Sequence, residues 1–360
     1  MKLRSLTSEQ RRIAIDAAQS YGHSIELQTE RRALRGGLYW KKVAGHDYLI
    51  RVIDRHGGNR SLGPRSPQTE AAYLEFTGTK RDLDERIRTI NQEVIRQAKF
   101  CVAAGVNRVP RLAADIVRSL DSSGLLGSHL IVLGSHALYA YEMKAGVQLK
   151  AGLLQTEDLD TLLNKSEIEL AGSIRSAGLL GILQGVDKTF KPQRKRSFRA
   201  VNAKGFMVDL IRAPIDARGG LTSIGTGLDL IADQLRGLEW LTALPPMTQI
   251  VIADNGFPVR FVVPEPRVFA LHKLWVSIQP TRDPIKRKRD LHQAEAIAQL
   301  SLDYFNLSFD DPPIRALPNE LTAMIPGLVE RLRERRSKSQ DHQSALAPGF
   351  EDPEADSNAE

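Results

Sequence analysis

Thr156-Glu157-Asp158-Leu159-Asp160 and Phe206-Met207-Val208-Asp209-Leu210-Ile211 are the stretches on which the fold turns. Side chains alternate faces along a strand, so Asp158 and Asp160 point one way while Leu159 turns into the core. Two carboxylates on one face repel unless a cation lies between them. Magnesium, a hard ion, takes one or two carboxylates together with phosphate oxygens. Asp209 stands alone among apolar residues, and an unpaired carboxylate in a central strand is costly. A third carboxylate lets a second metal bind about 3.5–4 Å from the first, which requires strand 206–212 to lie beside strand 157–163. The bland alternatives are a surface role for the pair and, for Asp209, a salt bridge with an arginine such as Arg199.

Upstream, Gly134-Ser135 ends the apolar run Leu130-Ile131-Val132-Leu133 and precedes Ala137-Leu138-Tyr139-Ala140-Tyr141. Glycine lets a backbone approach phosphate closely, and helix N-terminal amides with a serine hydroxyl can hold a triphosphate. The plain alternative is a strand-to-helix turn with Ser135 as its cap. His136 follows the turn and reads first as a core or surface histidine.

Working outward, helical spacing covers residues 7–33 and 68–104, with Gly105 closing the second helix. Between them, Gly37 to Ile53 reads as a β-hairpin, with a third short run at Asn59 to Leu62. A shorter helix runs from Pro110 to about Leu120. Strands are expected at 129–133, 157–163, 197–202, 206–212, 249–253 and 258–263. Ala203-Lys204-Gly205 joins 197–202 to 206–212 as an antiparallel pair. Helices are expected at 135–143, 167–176, 226–237, 267–278, 286–300 and 318–337. The polar, acidic tail from Ser339 reads as disordered. The division is an N-terminal helix and β-hairpin module (1–67), a connecting helix (68–109), a catalytic α+β domain with a mixed sheet flanked by helices (110–265), a helical region (266–338) and a tail (339–360).

Composition sets limits. One cysteine, Cys101, excludes an internal disulfide and a Cys-rich zinc site, and reads as a buried bystander thiol in a reducing, cytoplasmic compartment. No stretch approaches the roughly 18 apolar residues of a membrane span, and no secretory signal follows the N-terminus. Lys and Arg number 50 against 43 Asp and Glu, and the excess clusters at Lys191–Arg196, Lys286–Arg289 and Arg331–Lys338. Such clusters suit phosphate-rich partners, although each alone is equally a solvated face. Tyr39, Trp40, Lys41, Lys42, Tyr48 and Arg51 interleave aromatics and cations in a pattern that suits nucleic acid. The alternative is cross-strand packing against helix 68–104.

In order, Gly134-Ser135-His136-Ala137-Leu138-Tyr139-Ala140-Tyr141-Glu142, Thr156 to Asp160, Ala200-Val201-Asn202 to Ile211, and Val263-Pro264-Glu265-Pro266 to Lys273 resemble the motifs of a bacterial nucleotidyltransferase-fold family. That family belongs to the DNA polymerase β-type superfamily. The resemblance covers about 128–300 and extends to Gly37–Ile53. It implies that Asp158 and Asp160 bind metal, Asp209 completes the triad, and Gly134 and Ser135 contact the NTP. Abortive-infection toxins are more distant relatives. Through them, Lys273 is matched to a phosphate-contacting lysine and Arg289-Asp290 to a basic–acidic element, in which Asp290 positions a basic side chain or acts as a base. His272 reads as a core or surface residue. One departure stands out: 22 residues separate Ser135 from Asp158, more than is usual in the superfamily. The extra segment, Ala145 to Gln155, either forms a loop over the pocket or displaces the strand, in which case the Gly-Ser turn does not reach the metals.

The expected function is therefore Mg²⁺-dependent transfer of NMP from an NTP to an acceptor hydroxyl on RNA or tRNA, a protein or a small molecule. The rival is a nucleic-acid-binding protein, for RNA or DNA, that keeps the fold without catalysis. A place in a toxin–antitoxin or phage-defence pair, with a cognate regulator protein, suits either reading.

Overall fold

A computed structural model describes residues 3–34, 36–53, 58–163, 178–194, 197–214, 230 and 232–344. Two long helices open the chain. Ser8–Ala33 begins at Thr7, whose hydroxyl accepts the Gln10 N–H while the Gln10 side chain accepts the Thr7 N–H. Pro67–Ala103 begins with the same reciprocal cap between Ser66 and Thr69, an arrangement that satisfies helix-end donors on both residues. The helices run antiparallel, tied by Ser24 to Asn91 and Arg31 to Asp84. Ala17 and Leu27 of one and Leu83 and Ala98 of the other are buried.

The connection is a three-stranded antiparallel sheet of Gly37–Val43, His46–Val52 and Asn59–Pro64. Its Leu49 is buried. Trp40 lies 5.8 Å from Tyr73 of the second helix, with the Arg65 guanidinium 5.2 Å over its ring. Trp40 is thus used in packing, whereas Tyr39, Lys41, Lys42, Arg51 and Arg60 are exposed.

The central sheet is mixed. Leu130–Val132 pairs antiparallel with Asp158–Leu163, which pairs parallel with Met207–Arg212. Met207–Arg212 pairs antiparallel with Arg199–Val201, and Lys191–Pro192 follows at the edge. The hairpin Met247–Ile252 and Pro258–Val263 forms a separate antiparallel pair. Leu130, Val132, Leu159, Leu162, Val208 and Leu210 are fully buried in the main core. Helices Pro266–Ser277 and Pro284–Asp303 pack on each other, each with proline in its first turn and an acidic cap, Glu265 or Asp283. Proline suits that position because its missing N–H has no partner there in any case. Among the described residues, no helix is long and apolar enough to cross a membrane.

The structure departs from the sequence expectations at several points. In the stretch expected as helix 226–237, Asp233–Gln234 is a strand parallel to Ile211 and Arg212. Ladder bonding at the sheet edge overrides the helical pattern there. The stretch 318–337 is broken into Asn319–Thr322 and Ile325–Ser344; Pro326 has no N–H with which to continue a preceding helix. The second of these helices runs to Ser344, past Ser339, where the tail was expected to begin. The helix expected at 167–176 and residues 345–360 lie outside the described residues.

The segment Ala145 to Gln155 does not form a loop over the pocket. Gly146, at φ +63°, ends helix Ala137–Ala145. Val147–Gln148 then pairs with Arg4–Ser5, and Ala151–Leu154 forms one helical turn with Leu153 and Leu154 buried. Glu142, 3% exposed, accepts bonds from Arg108 Nε at 2.8 Å, Arg108 Nη2 at 3.0 Å and the Leu149 amide at 2.7 Å. Arg108 also donates to the Leu149 carbonyl at 2.9 Å. Removing one partner of a buried ion pair strands the other charge. Arg108→Ala is therefore expected to lower stability by about 3 kcal/mol or more, read as a shift of the urea unfolding midpoint.

Candidate active site

Asp160 lies directly opposite Asp209 across the parallel pair, and Asp158 is two residues back on the same face as Asp160. Leu159, Val208 and Leu210, on the opposite face, are fully buried. The Thr161 hydroxyl donates to the Asp209 carbonyl at 2.9 Å and fixes the two strands locally. The Leu133 amide donates to the Asp160 carbonyl at 2.9 Å, which brings the Gly-Ser turn alongside. Gly134 has φ +61°, and a Cβ built there would collide with Asp160 Oδ2. Only glycine fits, because it alone tolerates both the left-handed backbone and the contact. The turn and the carboxylates therefore meet despite the long intervening segment.

The three carboxylates have different partners. Asp209, 5% exposed, is gripped by Arg199, whose Nε and Nη2 donate to its two oxygens at 2.6 Å each. Asp158 accepts a bond from the Thr156 hydroxyl. Among the described residues no hydrogen bond reaches the Asp160 carboxylate: burial, then the Asp158 and Asp209 carboxylates, push its pKa up to about 6, with the Lys273 and Arg282 charges opposing. Among the described residues, no three His, Cys, Asp or Glu side chains stand as a closed metal-binding set. The donor chemistry nonetheless fits a hard divalent ion at Asp158 and Asp160, since among the described residues no hydrogen-bond donor meets the Asp160 carboxylate. A carboxylate has about four lone-pair sites, so Asp209 can bond Arg199 and still offer an oxygen.

Helices Pro266–Ser277 and Pro284–Asp303 bring cations to this face. Asp290, fully buried, accepts from Lys273 Nζ at 2.9 Å and Arg282 Nε at 2.7 Å. Burial works to raise the Asp290 pKa, but the two cations hold it below the ordinary carboxylate value. Lys273 is therefore a buried, ion-paired residue whose charge reaches Asp160. Asp290 positions basic side chains, but they are Lys273 and Arg282 rather than its neighbour Arg289. Arg289 instead donates to the Gln155 carbonyl at 3.3 Å. Ser135, 4% exposed, accepts from Gln293 Nε2 at 2.9 Å. His136 is 1% exposed, and burial pushes its pKa down to about 4 against the opposing pull of Asp158, so the ring is neutral near pH 7. His272 is buried next to Lys273, with its pKa lowered to about 3 by burial and that neighbouring charge. Cys101 is buried with its thiol pKa pushed up to about 11, the mark of an inert bystander.

The fold thus gathers Gly134, Asp158, Asp160 and Asp209, with Ser135 in the same turn and Lys273 acting from the helical side. Arg282 and Gln293 went unread in the sequence. The available signal was Asp290-Leu291-His292-Gln293, two polar residues one helical turn apart in a helix that buries both.

A family model described as nucleotidyltransferase matches residues 111–316. The chain belongs to that family. No curated protein and no solved structure matches it. The match takes in the central sheet, all three aspartates and the two helices that carry Lys273, Arg282 and Gln293, and it excludes the N-terminal helical arm. Nucleotidyltransferases in general transfer NMP from an NTP and use divalent metals, so membership supports a transferase with an NTP substrate.

Asp160 also gives the site a pH signature. Its folded-state pKa of about 6 lies above the ordinary value of about 4. The folded, metal-free protein thus holds that proton more tightly than the unfolded chain does. Its destabilising effect is absent below pH 4, grows as pH rises from about 4 to about 6, and is complete above that. Asp160→Asn is expected to raise the thermal midpoint at pH 7.5 and to change it less at pH 4.5, measured in chelator.

Proposed function

We propose that the protein is a magnesium-dependent nucleotidyltransferase that moves NMP from an NTP to an acceptor hydroxyl and releases pyrophosphate. The observation that carries this reading is Gly134 pressed on Asp160 beside Asp209, which puts a phosphate-type turn and carboxylates of two adjacent strands at one point. Asp158 and Asp160 would hold one Mg²⁺, and Asp209 would share a second. When bound, magnesium neutralises triphosphate charge and favours departure of pyrophosphate.

The chain's own groups do the rest. Gly134 admits the phosphates close to the backbone, and the Ser135 hydroxyl bonds one of them. Lys273 gives one of its three ammonium donors to Asp290 and keeps the others for phosphate oxygen. The acceptor oxygen forms a bond to the α-phosphorus as the bond to pyrophosphate breaks. Asp209 helps draw the proton from the attacking hydroxyl. Positioning and charge complementarity, rather than covalent catalysis, supply the rate.

The acceptor is best read as nucleic acid. Residues 1–109 hold 20 of the 50 Lys and Arg but only 12 of the 43 Asp and Glu, so the positive excess lies in the N-terminal arm. Exposed Lys41, Lys42, Arg51 and Arg60 stand on its sheet. A second reading, nucleic-acid binding without transfer, is favoured by one feature: the closed Arg199–Asp209 pair.

Incubation with Mg²⁺, each labelled NTP and total cellular RNA separates the two readings. Transfer of label to RNA or protein is expected, and Asp158→Ala/Asp160→Ala is expected to reduce it by a factor of about 10² or more. RNA binding with no transfer to any acceptor would favour the second reading. In parallel, Mg²⁺ is expected to raise the thermal midpoint of the wild-type protein and to leave that of Asp160→Asn unchanged.

A further inference from the structure

Gln293 is fully buried on helix Pro284–Asp303, and both of its amide hydrogens are committed. Nε2 donates to the Leu153 carbonyl at 2.7 Å and to Ser135 Oγ at 2.9 Å. A carbonyl oxygen only accepts, so the Leu153 contact settles which end of the amide is nitrogen. That in turn sets the direction of the second bond: Ser135 is an acceptor toward Gln293. Among the described residues, its own hydroxyl proton meets no acceptor, although the side chain is buried beside Gly134 and the carboxylates.

Resting on the nucleotidyltransferase reading above, we propose that Gln293 is a positioning residue that presets Ser135 as a hydrogen-bond donor to the nucleotide's phosphate. A free serine hydroxyl rotates among staggered positions and donates to whatever lies near. With one lone pair taken by Gln293, its proton is turned away from the amide and left to donate to an incoming acceptor. The same amide pins Leu153, so the inserted segment Ala145 to Gln155 acts as the outer anchor of the phosphate turn. This explains how the chain tolerates the insertion: the segment is tied through Gln293 to the residue it would otherwise displace.

The test is a double-mutant cycle on nucleotide binding, which needs no acceptor. Dissociation constants for a fluorescent NTP analogue in Mg²⁺ are measured for wild type, Gln293→Met, Ser135→Ala and the double variant. Thermal midpoints are measured alongside. Methionine keeps the length of glutamine without its donors; Gln293→Leu serves if the methionine variant does not fold. Each single change is expected to weaken binding about tenfold, the scale of one phosphate hydrogen bond. The double variant is expected to be no weaker than Ser135→Ala, because Gln293 acts through that hydroxyl. Unchanged binding in Gln293→Met, or losses that add in the double variant, overturns the proposal and leaves the nucleotidyltransferase reading standing. Failure of the wild-type protein to bind any NTP overturns both.

Discussion

The Asp160 carboxylate sits beside two like charges, and among the described residues no donor bonds it; much of the site is arranged around that condition. Asp158 follows it on the same strand face, and Asp209 faces it from the neighbouring strand. The Gly134 backbone closes on it where no side chain would fit. Such a carboxylate is expensive to bury, and its raised pKa is the measure of the expense. On the proposed reading, a fold that keeps it holds negative charge that a divalent cation would neutralise.

Around this centre, three other buried carboxylates are each held by a cation. Arg199 holds Asp209, Asp290 holds Lys273 and Arg282, and Arg108 holds Glu142. These pairs do not add greatly to stability in themselves, since desolvation offsets attraction. Their effect is geometric. Asp290 fixes two cations on the helical side, while Glu142 and Arg108 hold the inserted segment down at Leu149. On both the positive and the negative side of the site, charged side chains are held by ion pairs.

Much of the fold was legible in the sequence because its signals are local. Alternation of faces exposed the Asp158 strand, an apolar run exposed the Asp209 strand, and helical spacing exposed the two long N-terminal helices. Glycine and proline marked the ends, as at Gly105 and Pro266. The misreadings lie where a distant partner decides. Asp233–Gln234 is a strand only because the edge beyond Arg199–Val201 is open to it. For Trp40 the sequence left base stacking and packing on the second helix both open, and contact with Tyr73 and Arg65 decides for packing. The salt bridge weighed for Asp209 did form, with Arg199, because the tight turn at 203–205 sets those two residues opposite each other.

By itself the sequence determined that Asp158 and Asp160 share a face, that an isolated Asp209 needs a partner, and that Gly134-Ser135 ends a strand. Those conclusions follow from backbone periodicity and from the cost of burying charge, which act within a few residues. Only the tertiary structure decided that the long segment after the turn folds aside, that Asp160 is left unpaired, and that Gln293 reaches both Ser135 and Leu153. These depend on packing between elements more than a hundred residues apart, a distance over which no local pattern carries information.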